Sequence, residues 1–221
     1  MGILNKQNSD GNEMAFDFHF PTSKKALIIF TRNPELGQVK TRLAKTIGDD
    51  ATLKIYTYLL KHTAAISKQI KVDKYVFYSE NIMKNDLWDD DIFRKKLQNG
   101  TDLGARMYNA FAELFGLGYE KVLIIGSDLL DLNEQHIENA FNQLNQHEIV
   151  LGPSQDGGYY LLGMKTMHPK IFQNKVWGTN TVLADTLSDL QHNDLDLLEE
   201  LNDIDTFEDM KHYKQLEQFY H

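Results

Sequence analysis

The chain has 221 residues, of which 42% are hydrophobic, 25% are charged and none is cysteine, and its formal net charge is −9. The lack of cysteine excludes disulfides, thiol catalysis and cysteine-ligated zinc, and an acidic chain lacks the basic surface that nucleic acid or anionic lipid selects. Without an apolar run of roughly 20 residues or a basic segment leading into an apolar one, we expect a cytoplasmic protein that binds neither nucleic acid nor membrane.

Short apolar runs alternate with amphipathic segments along most of the chain. Residues 1–23 show no sustained period, and we interpret them as a flexible arm before a single domain at 24–221. The predicted strands are 26–30, 75–78, 122–125, 149–151 and 159–164, and the predicted helices are 51–68, 103–115 and a segment around 137–144. This alternation predicts an α/β fold, a mostly parallel sheet with helices on both faces and ligands at the carboxyl ends of its strands.

The loop after the first strand concentrates positive charge. Arg32, Lys40 and Arg42 lie within eleven residues, around Pro34 and Gly37. Tight turns expose backbone N–H groups and the cations add charge-assisted hydrogen bonds, so the loop is predicted to bind phosphate. The alternative is a solvated loop with ordinary surface cations. The sequence of this loop matches neither the phosphate-binding pattern GxxxxGK[ST] nor the dinucleotide-binding pattern GxGxxG, which disfavours an ATPase or a dehydrogenase.

An acidic turn follows the strand at 122–125. Gly126 and Ser127 lead into Asp128, which we predict to be a ligand of Mg²⁺ or Mn²⁺, because these hard cations prefer oxygen ligands. Asp131 and Glu134 have the spacing of a capping box, so Asp131 is predicted to cap the following helix.

A second acidic turn lies at 202–209. Asp205 and Glu208 also have capping-box spacing, and a helix cap is therefore one interpretation of Asp205. The other interpretation is that the two acidic turns converge at the strand ends. The acidic stretch 86–91 is interpreted as a solvated loop.

A glycine-rich segment precedes the strand at 159–164. Gly157 and Gly158 permit a close approach between the backbone and a ligand. Asp156 is assigned to a turn, to a substrate hydroxyl or to a metal, and the sequence leaves the three open. Trp177 is either a wall of the pocket or part of the core.

Several of these segments resemble one known family in their order along the chain. The patterns are F-x-R-x-P-x-x-G-x-x-K-T-R-L at 30–43, G-S-D at 126–128, G-P-x-x-D-G-G-Y at 152–159 and D-I-D-T at 203–206, with Q-N-G-x-D-L-G-x-R-M at 98–107. They resemble the DUF2064 family, described as glycosyltransferases associated with radical-SAM, selenodomain and arsenosugar clusters. The resemblance extends from about 26 to 209.

That family is similar to the nucleotide-diphospho-sugar transferase superfamily, which has a Rossmann-like mixed sheet of the type-A glycosyltransferase kind. The resemblance implies a metal site at Asp128 and, by likeness to cytidylyltransferases, at Asp205. Leu130 and Phe207 stand where relatives have proline, which bears on the geometry of the two loops. The implied catalytic residues are Lys40, Arg42 and Asp128. The implied nucleotide-binding residues are Arg32, Gly37, Lys40, Arg42, Asp102, Gly126, Gly157 and Gly158.

Three functions are compatible with this sequence. The first is glycosyl transfer from a nucleotide sugar to a small-molecule acceptor, with Mg²⁺ or Mn²⁺. The second is nucleotidyl transfer from a nucleoside triphosphate to a phosphorylated acceptor, with release of pyrophosphate. The third is a nucleotide-binding module without catalysis. The sequence does not decide between Asp102 and Asp156 as the general base. It also leaves open the nucleobase and sugar of the donor, the acceptor, and whether the protein forms a homodimer.

Overall fold

Seven strands form one sheet in the order β3-β2-β1-β4-β6-β5-β7 in the computed structural model, which describes residues 20–191 and 194–220. The strands are β1 Lys25–Thr31, β2 Asp73–Tyr78, β3 Phe93–Leu97, β4 Lys121–Ile125, β5 Ile149–Pro153, β6 Tyr159–Met164 and β7 Leu195–Leu197. The α-helices are α1 Thr41–Ile47, α2 Asp49–Gln69, α3 Leu103–Gly116, α4 Glu134–Gln143, α5 Val182–Asp189 and α6 Phe207–Met210. Short 3₁₀ helices span Pro169–Phe172 and Lys214–Phe219.

The sheet is mostly parallel, as predicted. Strand β1 pairs in parallel with β2 and β4, whereas β6 runs antiparallel to β4 and β5. Along β1, Leu27 and Ile29 pack into one apolar cluster, and Ala26 and Ile28 pack into another on the opposite face. Because successive side chains of a strand point to opposite faces, both faces of the sheet are covered, and the predicted Rossmann-like α/β fold is confirmed.

Two strands were not predicted from the sequence. Strand β3 carries Arg94, Lys95 and Lys96, and β7 has only three residues, Leu195–Leu197. Both lie at the edges of the sheet, where charged side chains and short length are common, so neither shows the apolar run of a central strand. No helix among the residues that the structure describes is long and apolar enough to cross a membrane.

The cap predicted at Asp131 is wrong, and so is the interpretation of Asp205 as a helix cap. Asn133 caps α4, and Asp131 instead accepts a hydrogen bond of 2.6 Å from the Tyr213 hydroxyl. Thr206 caps α6 in a capping box with Asp209, which leaves Asp205 outside the cap. In both turns, the residue that caps the helix lies one or two positions further along the chain.

The interpretation of 86–91 as a solvated loop is wrong for Asp86. This side chain is only 10% exposed, accepts a hydrogen bond of 2.7 Å from the Tyr78 hydroxyl and lies 2.8 Å from the Lys95 ammonium. Lys95 also contacts Asp90 at 2.8 Å. The loop therefore packs against β2 and β3 through a buried ion pair.

Asp73 ties the start of the domain to the sheet. Its carboxylate accepts hydrogen bonds from the Thr22 and Ser23 backbone N–H groups, at 2.8 and 3.2 Å, and from the Tyr119 hydroxyl at 2.7 Å. Burial opposes ionisation of Asp73, but these hydrogen bonds outweigh it and hold its pKa below the usual value. Most of the predicted arm, 1–19, lies outside the described residues, and its last residues are fixed here.

We expect Asp73→Ala to lower the free energy of unfolding by about 2 kcal/mol, because it removes the shared acceptor of the Thr22 and Ser23 backbone N–H groups and of the buried Tyr119 hydroxyl. A lowered pKa gives stability above the unfolded-state value of about 4, and the stability is lost as pH falls through the folded-state value. The difference from the wild type should therefore shrink below about pH 4. Urea unfolding at several pH values measures this, with exposed Asp91→Ala as control, and equal losses in both variants would contradict it.

Candidate active site

The candidate site lies at the carboxyl ends of the two central parallel strands. Strand β1 leads into Arg32 and β4 leads into Gly126, and Ile29 of β1 lies opposite Ile125 of β4. The loop from β1 continues to Lys40, whose backbone is left-handed with φ of 46° immediately before α1. Adjacent parallel strands end at the same edge of the sheet, so the two loops meet.

Three residues that are distant in sequence meet in one ion cluster around a buried ammonium group. The Lys40 ammonium donates hydrogen bonds of 2.6 Å to the Asp128 and Asp205 carboxylates, which are 88 and 165 residues away along the chain. The Lys40 side chain is 6% exposed. Arg42 makes a second ion pair with Asp205. The two predicted metal ligands, Asp128 and Asp205, therefore share the Lys40 ammonium as a partner.

The electrostatics of this cluster favour its charged forms. Burial acts to lower the pKa of Lys40, but the Asp128 and Asp205 carboxylates together raise it well above the usual value. Burial likewise opposes ionisation of Asp205, and Lys40 and Arg42 nevertheless lower the pKa of Asp205. A lowered pKa keeps the Asp205 carboxylate ionised at neutral pH, which suits it to a cation.

A polar cavity of about 740 Å³ opens on one side of Asp128. Three guanidinium groups line it, those of Arg32, Arg42 and Arg106. Arg106 was not among the predicted site residues, although it belongs to the 98–107 segment of the family pattern. Its Nε donates to the Gly100 carbonyl oxygen at 3.2 Å, which fixes the guanidinium at the wall. The same lining includes the acidic residues Glu80, Asp102, Asp128 and Asp205, so the arginines form a local cationic group in a cavity without net positive charge.

The structure brings most of the predicted site residues to this polar cavity. The predicted residues that line it are Arg32, Lys40, Arg42, Asp102, Gly126, Asp128 and Asp205. Gly158 lines a different cavity, described below, and Gly37 forms part of an exposed turn with φ of 72°. Gly157 packs against Asn180, whose carbonyl oxygen lies 2.3 Å from where a Cβ would be. The nucleotide-binding roles of these three glycines remain predictions.

A second cavity, of about 220 Å³, lies on the other side of Asp128 and is mostly apolar. Asp128, Asp156 and Asp203 contribute its carboxylates. Its apolar wall includes Phe30, Met107, Leu162 and Trp177.

Asp203 was not among the predicted site residues, because the resemblance assigned a role only to Asp205 within the D-I-D-T pattern. Burial and the neighbouring charges of Asp156, Asp128 and Asp205 raise the pKa of Asp203 to about 7. Asp156 accepts hydrogen bonds from the Ser154 hydroxyl at 2.6 Å and the Gly158 backbone at 2.8 Å. It therefore stabilises a turn, one of its three predicted roles, while also facing a cavity.

A family model covers just over half of the chain. The model of DUF2064, an uncharacterized protein conserved in bacteria, matches residues 62–179. The chain belongs to the DUF2064 family. The match includes Asp128 but neither Lys40 nor Asp205, so the ion cluster is an observation that the family match does not itself contain.

Known proteins similar to this DUF2064 chain include transferases. It is 26% identical over 144 residues to 2-phospho-L-lactate guanylyltransferase from Methanocaldococcus vulcanius, a match that covers 63% of this chain and 61% of that relative, less than two thirds of its length. A protein from Desulfovibrio desulfuricans G20, provisionally assigned as a nucleotide-diphospho-sugar transferase, is 29% identical with a TM-score of 0.77, over 84% of each chain. A manganese complex of a Mycobacterium tuberculosis H37Rv protein shares the fold at 14% identity, with a TM-score of 0.53 over 88% of this chain and 98% of that one. The predicted type-A transferase fold is thereby confirmed.

Asp102 has a structural role in this DUF2064 protein. It is the N-cap of α3 and its side chain accepts a hydrogen bond of 2.9 Å from the Ala105 backbone. It also lines the polar cavity, and it was predicted to bind nucleotide. Serine can replace the cap but not the charge, so substitution separates the two roles.

We expect Asp102→Ala to lower the free energy of unfolding by about 1 kcal/mol and Asp102→Ser to restore most of it, because serine caps helices about as well as aspartate. Urea unfolding measures the stability, and nucleotide titration by calorimetry measures binding. A binding role adds a loss of affinity that is equal in both variants. Equal stability of the alanine and serine variants would contradict the capping role.

Proposed function

We propose that this protein is a metal-dependent transferase that uses a nucleotide-activated donor, with glycosyl transfer as its reaction. One observation carries the proposal. Asp128 and Asp205, from distant loops, both contact the Lys40 ammonium in the lining of a cavity that also contains arginines. The D. desulfuricans protein, similar over 84% of its length, supports a nucleotide donor.

The residues present fit a divalent cation. Asp128 and Asp205 offer carboxylate oxygens, and the Lys40 ammonium between them stands where a metal ion would bind. In the described part of the chain, no group of three or more His, Cys, Asp or Glu side chains could hold a metal ion. Magnesium commonly uses one or two carboxylates together with substrate phosphates, so Asp128 and Asp205 would hold it jointly with the donor. When bound, the ion neutralises charge on the departing diphosphate.

The polar cavity provides the remaining charge. Arg32, Arg42 and Arg106 line it and would bind the donor diphosphate, which holds the reacting bond beside Asp128. In glycosyl transfer, an acceptor oxygen forms a bond to the sugar carbon, the bond from that carbon to the diphosphate oxygen breaks, and the nucleoside diphosphate leaves with the electron pair. Asp156 lines the second cavity, which Asp128 also lines. This makes Asp156 a better candidate than the cap residue Asp102 to take the acceptor's proton.

Nucleotidyl transfer is the second candidate, and the guanylyltransferase relative favours it. In that reaction an acceptor phosphate oxygen attacks the α-phosphorus of a nucleoside triphosphate, and pyrophosphate leaves. The same arginines would neutralise the leaving group, because both reactions place negative charge on a departing phosphate.

A panel of donors separates these reactions. The protein is incubated with Mg²⁺ or Mn²⁺, nucleoside triphosphates, nucleotide sugars and candidate acceptors. We expect a nucleoside diphosphate to be released from a nucleotide sugar, whereas pyrophosphate release with a phosphorylated acceptor would establish nucleotidyl transfer. Nucleotide binding without either product would leave a binding module and overturn the proposal.

We expect Asp128→Asn and Asp205→Asn each to lower turnover at least about 100-fold while the fold is retained, because they remove charge from the metal site. Asp131→Asn is the matched control, since Asp131 lies in the same loop as Asp128 but bonds Tyr213. Turnover and circular dichroism are measured on all three. Activity at the wild-type level in Asp128→Asn would contradict the assignment.

We expect Lys40→Met to bind Mn²⁺ more tightly than the wild type in the absence of nucleotide, by about tenfold, because the ammonium no longer competes for the two carboxylates. Without metal, the variant should be less stable by about 1 to 2 kcal/mol, since Asp128 and Asp205 then repel each other while partly exposed to solvent.

Electron paramagnetic resonance measures free Mn²⁺, and thermal unfolding with and without Mn²⁺ measures the stability of Lys40→Met. Lys45→Met on the exposed surface of α1 is the control. Unchanged Mn²⁺ affinity in Lys40→Met would show that the ammonium does not occupy the metal position.

A further inference from the structure

The second cavity has a charge that does not suit an anion. Its carboxylates come from Asp128, Asp156 and Asp203, and its lining residues include no Lys, Arg or His side chain. The Lys40 ammonium and the Arg42 guanidinium line the polar cavity instead. Asp128 lines both cavities, so the lining that contains arginines and the lining without cationic side chains meet at the proposed reaction centre.

The walls of this cavity suit a small hydroxyl-bearing skeleton. Phe30, Met107 and Leu162 provide apolar surface, and Trp177 is held against Gly104, where a Cβ would lie 2.6 Å from the indole ring. Tyr159 also lines the cavity, and its buried hydroxyl has no hydrogen-bond partner among the residues that the structure describes. A few polar groups on an apolar wall are typical of sites for small molecules.

An anion in this cavity would be destabilised in two ways. Burying a charge is costly, and no cationic side chain among the lining residues could pair with it. A neutral hydroxyl group, in contrast, can donate hydrogen bonds to the carboxylates of Asp156 and Asp203. A cationic group would form ion pairs with them.

We propose that the cavity formed by Asp156, Asp203, Tyr159 and Trp177 binds the non-nucleotide substrate through a neutral or cationic, hydroxyl-bearing part, and that it rejects carboxylate and phosphate groups. This rests on the proposed transferase function and goes beyond it. A phosphate group that takes part in the reaction would therefore lie near Asp128, where the two cavities meet, and not inside the second cavity. The substrate thus differs in charge from 2-phospho-L-lactate, the anion in the name of the curated relative.

Trp177 provides a direct reporter of binding. The chain has two tryptophans, and Trp88 is 1% exposed in the core. Fluorescence of the Trp88→Phe protein therefore comes from Trp177 alone. The titrants share a skeleton and differ in charge: glucose, glucosamine, glucuronate and glucose 6-phosphate, and then glycerol, glycerate, glycerol 3-phosphate and 2-phospho-L-lactate.

We expect a neutral or cationic member of a series to bind at least about tenfold more tightly at Trp177 than its anionic counterparts. Asp203→Lys should reduce or reverse this preference, and Asp203→Asn should reduce it less, which keeps the test valid if the lysine variant fails to fold. Leu97→Asn, an exposed residue outside both cavities, is the control.

An anionic member that binds at Trp177 as tightly as its neutral counterpart would overturn the proposal, and so would a lack of response to every titrant. The donor panel is run on the same protein without these titrants. Its failure would reject the transferase function, whereas product release from the donor panel with anion binding at Trp177 would reject only the charge selectivity inferred here.

Discussion

The ammonium of Lys40 holds together the loops on which the proposed chemistry depends. It is almost fully buried and forms hydrogen bonds with carboxylates from loops that follow β4 and precede α6. Two carboxylates so close together would repel each other without a cation between them. The left-handed backbone at Lys40 places the ammonium there at the start of α1. A metal ion held by Asp128 and Asp205, as proposed, would compete with Lys40 for the same oxygens, and its binding would then depend on the position of the basic loop.

The parallel arrangement of β1 and β4 explains why the site lies where it does. Their carboxyl ends bring the Arg32 loop and the Asp128 loop to one edge of the sheet. The antiparallel strand β6 then brings the turn containing Asp156 to the same edge, since it pairs with both β4 and β5. One mixed sheet thus supplies a polar cavity that contains arginines and a mostly apolar cavity without cationic side chains, and the two share Asp128.

This division of charge suits a transfer reaction between two chemically different partners. In the proposed reaction, the donor diphosphate would lie beside the guanidinium groups of Arg32, Arg42 and Arg106. The second partner meets apolar side chains and the carboxylates of Asp156 and Asp203. Asp128 lines both cavities. The bond that is made and the bond that is broken would therefore both lie near a metal ion held by Asp128.

The sequence by itself determined the central strands, the long helices and the basic character of the first loop, because periodic apolar patterns and clustered charges are local properties. It did not determine β3 and β7, which lie at the sheet edges and lack an apolar run. Spacing also predicted a cap at Asp131 and allowed one at Asp205, whereas Asn133 and Thr206 cap these helices. Only the tertiary structure decided that Lys40 bridges Asp128 and Asp205, and that Asp203 lies in an acidic cavity, because contacts across 88 and 165 residues depend on how the strands are ordered in the sheet.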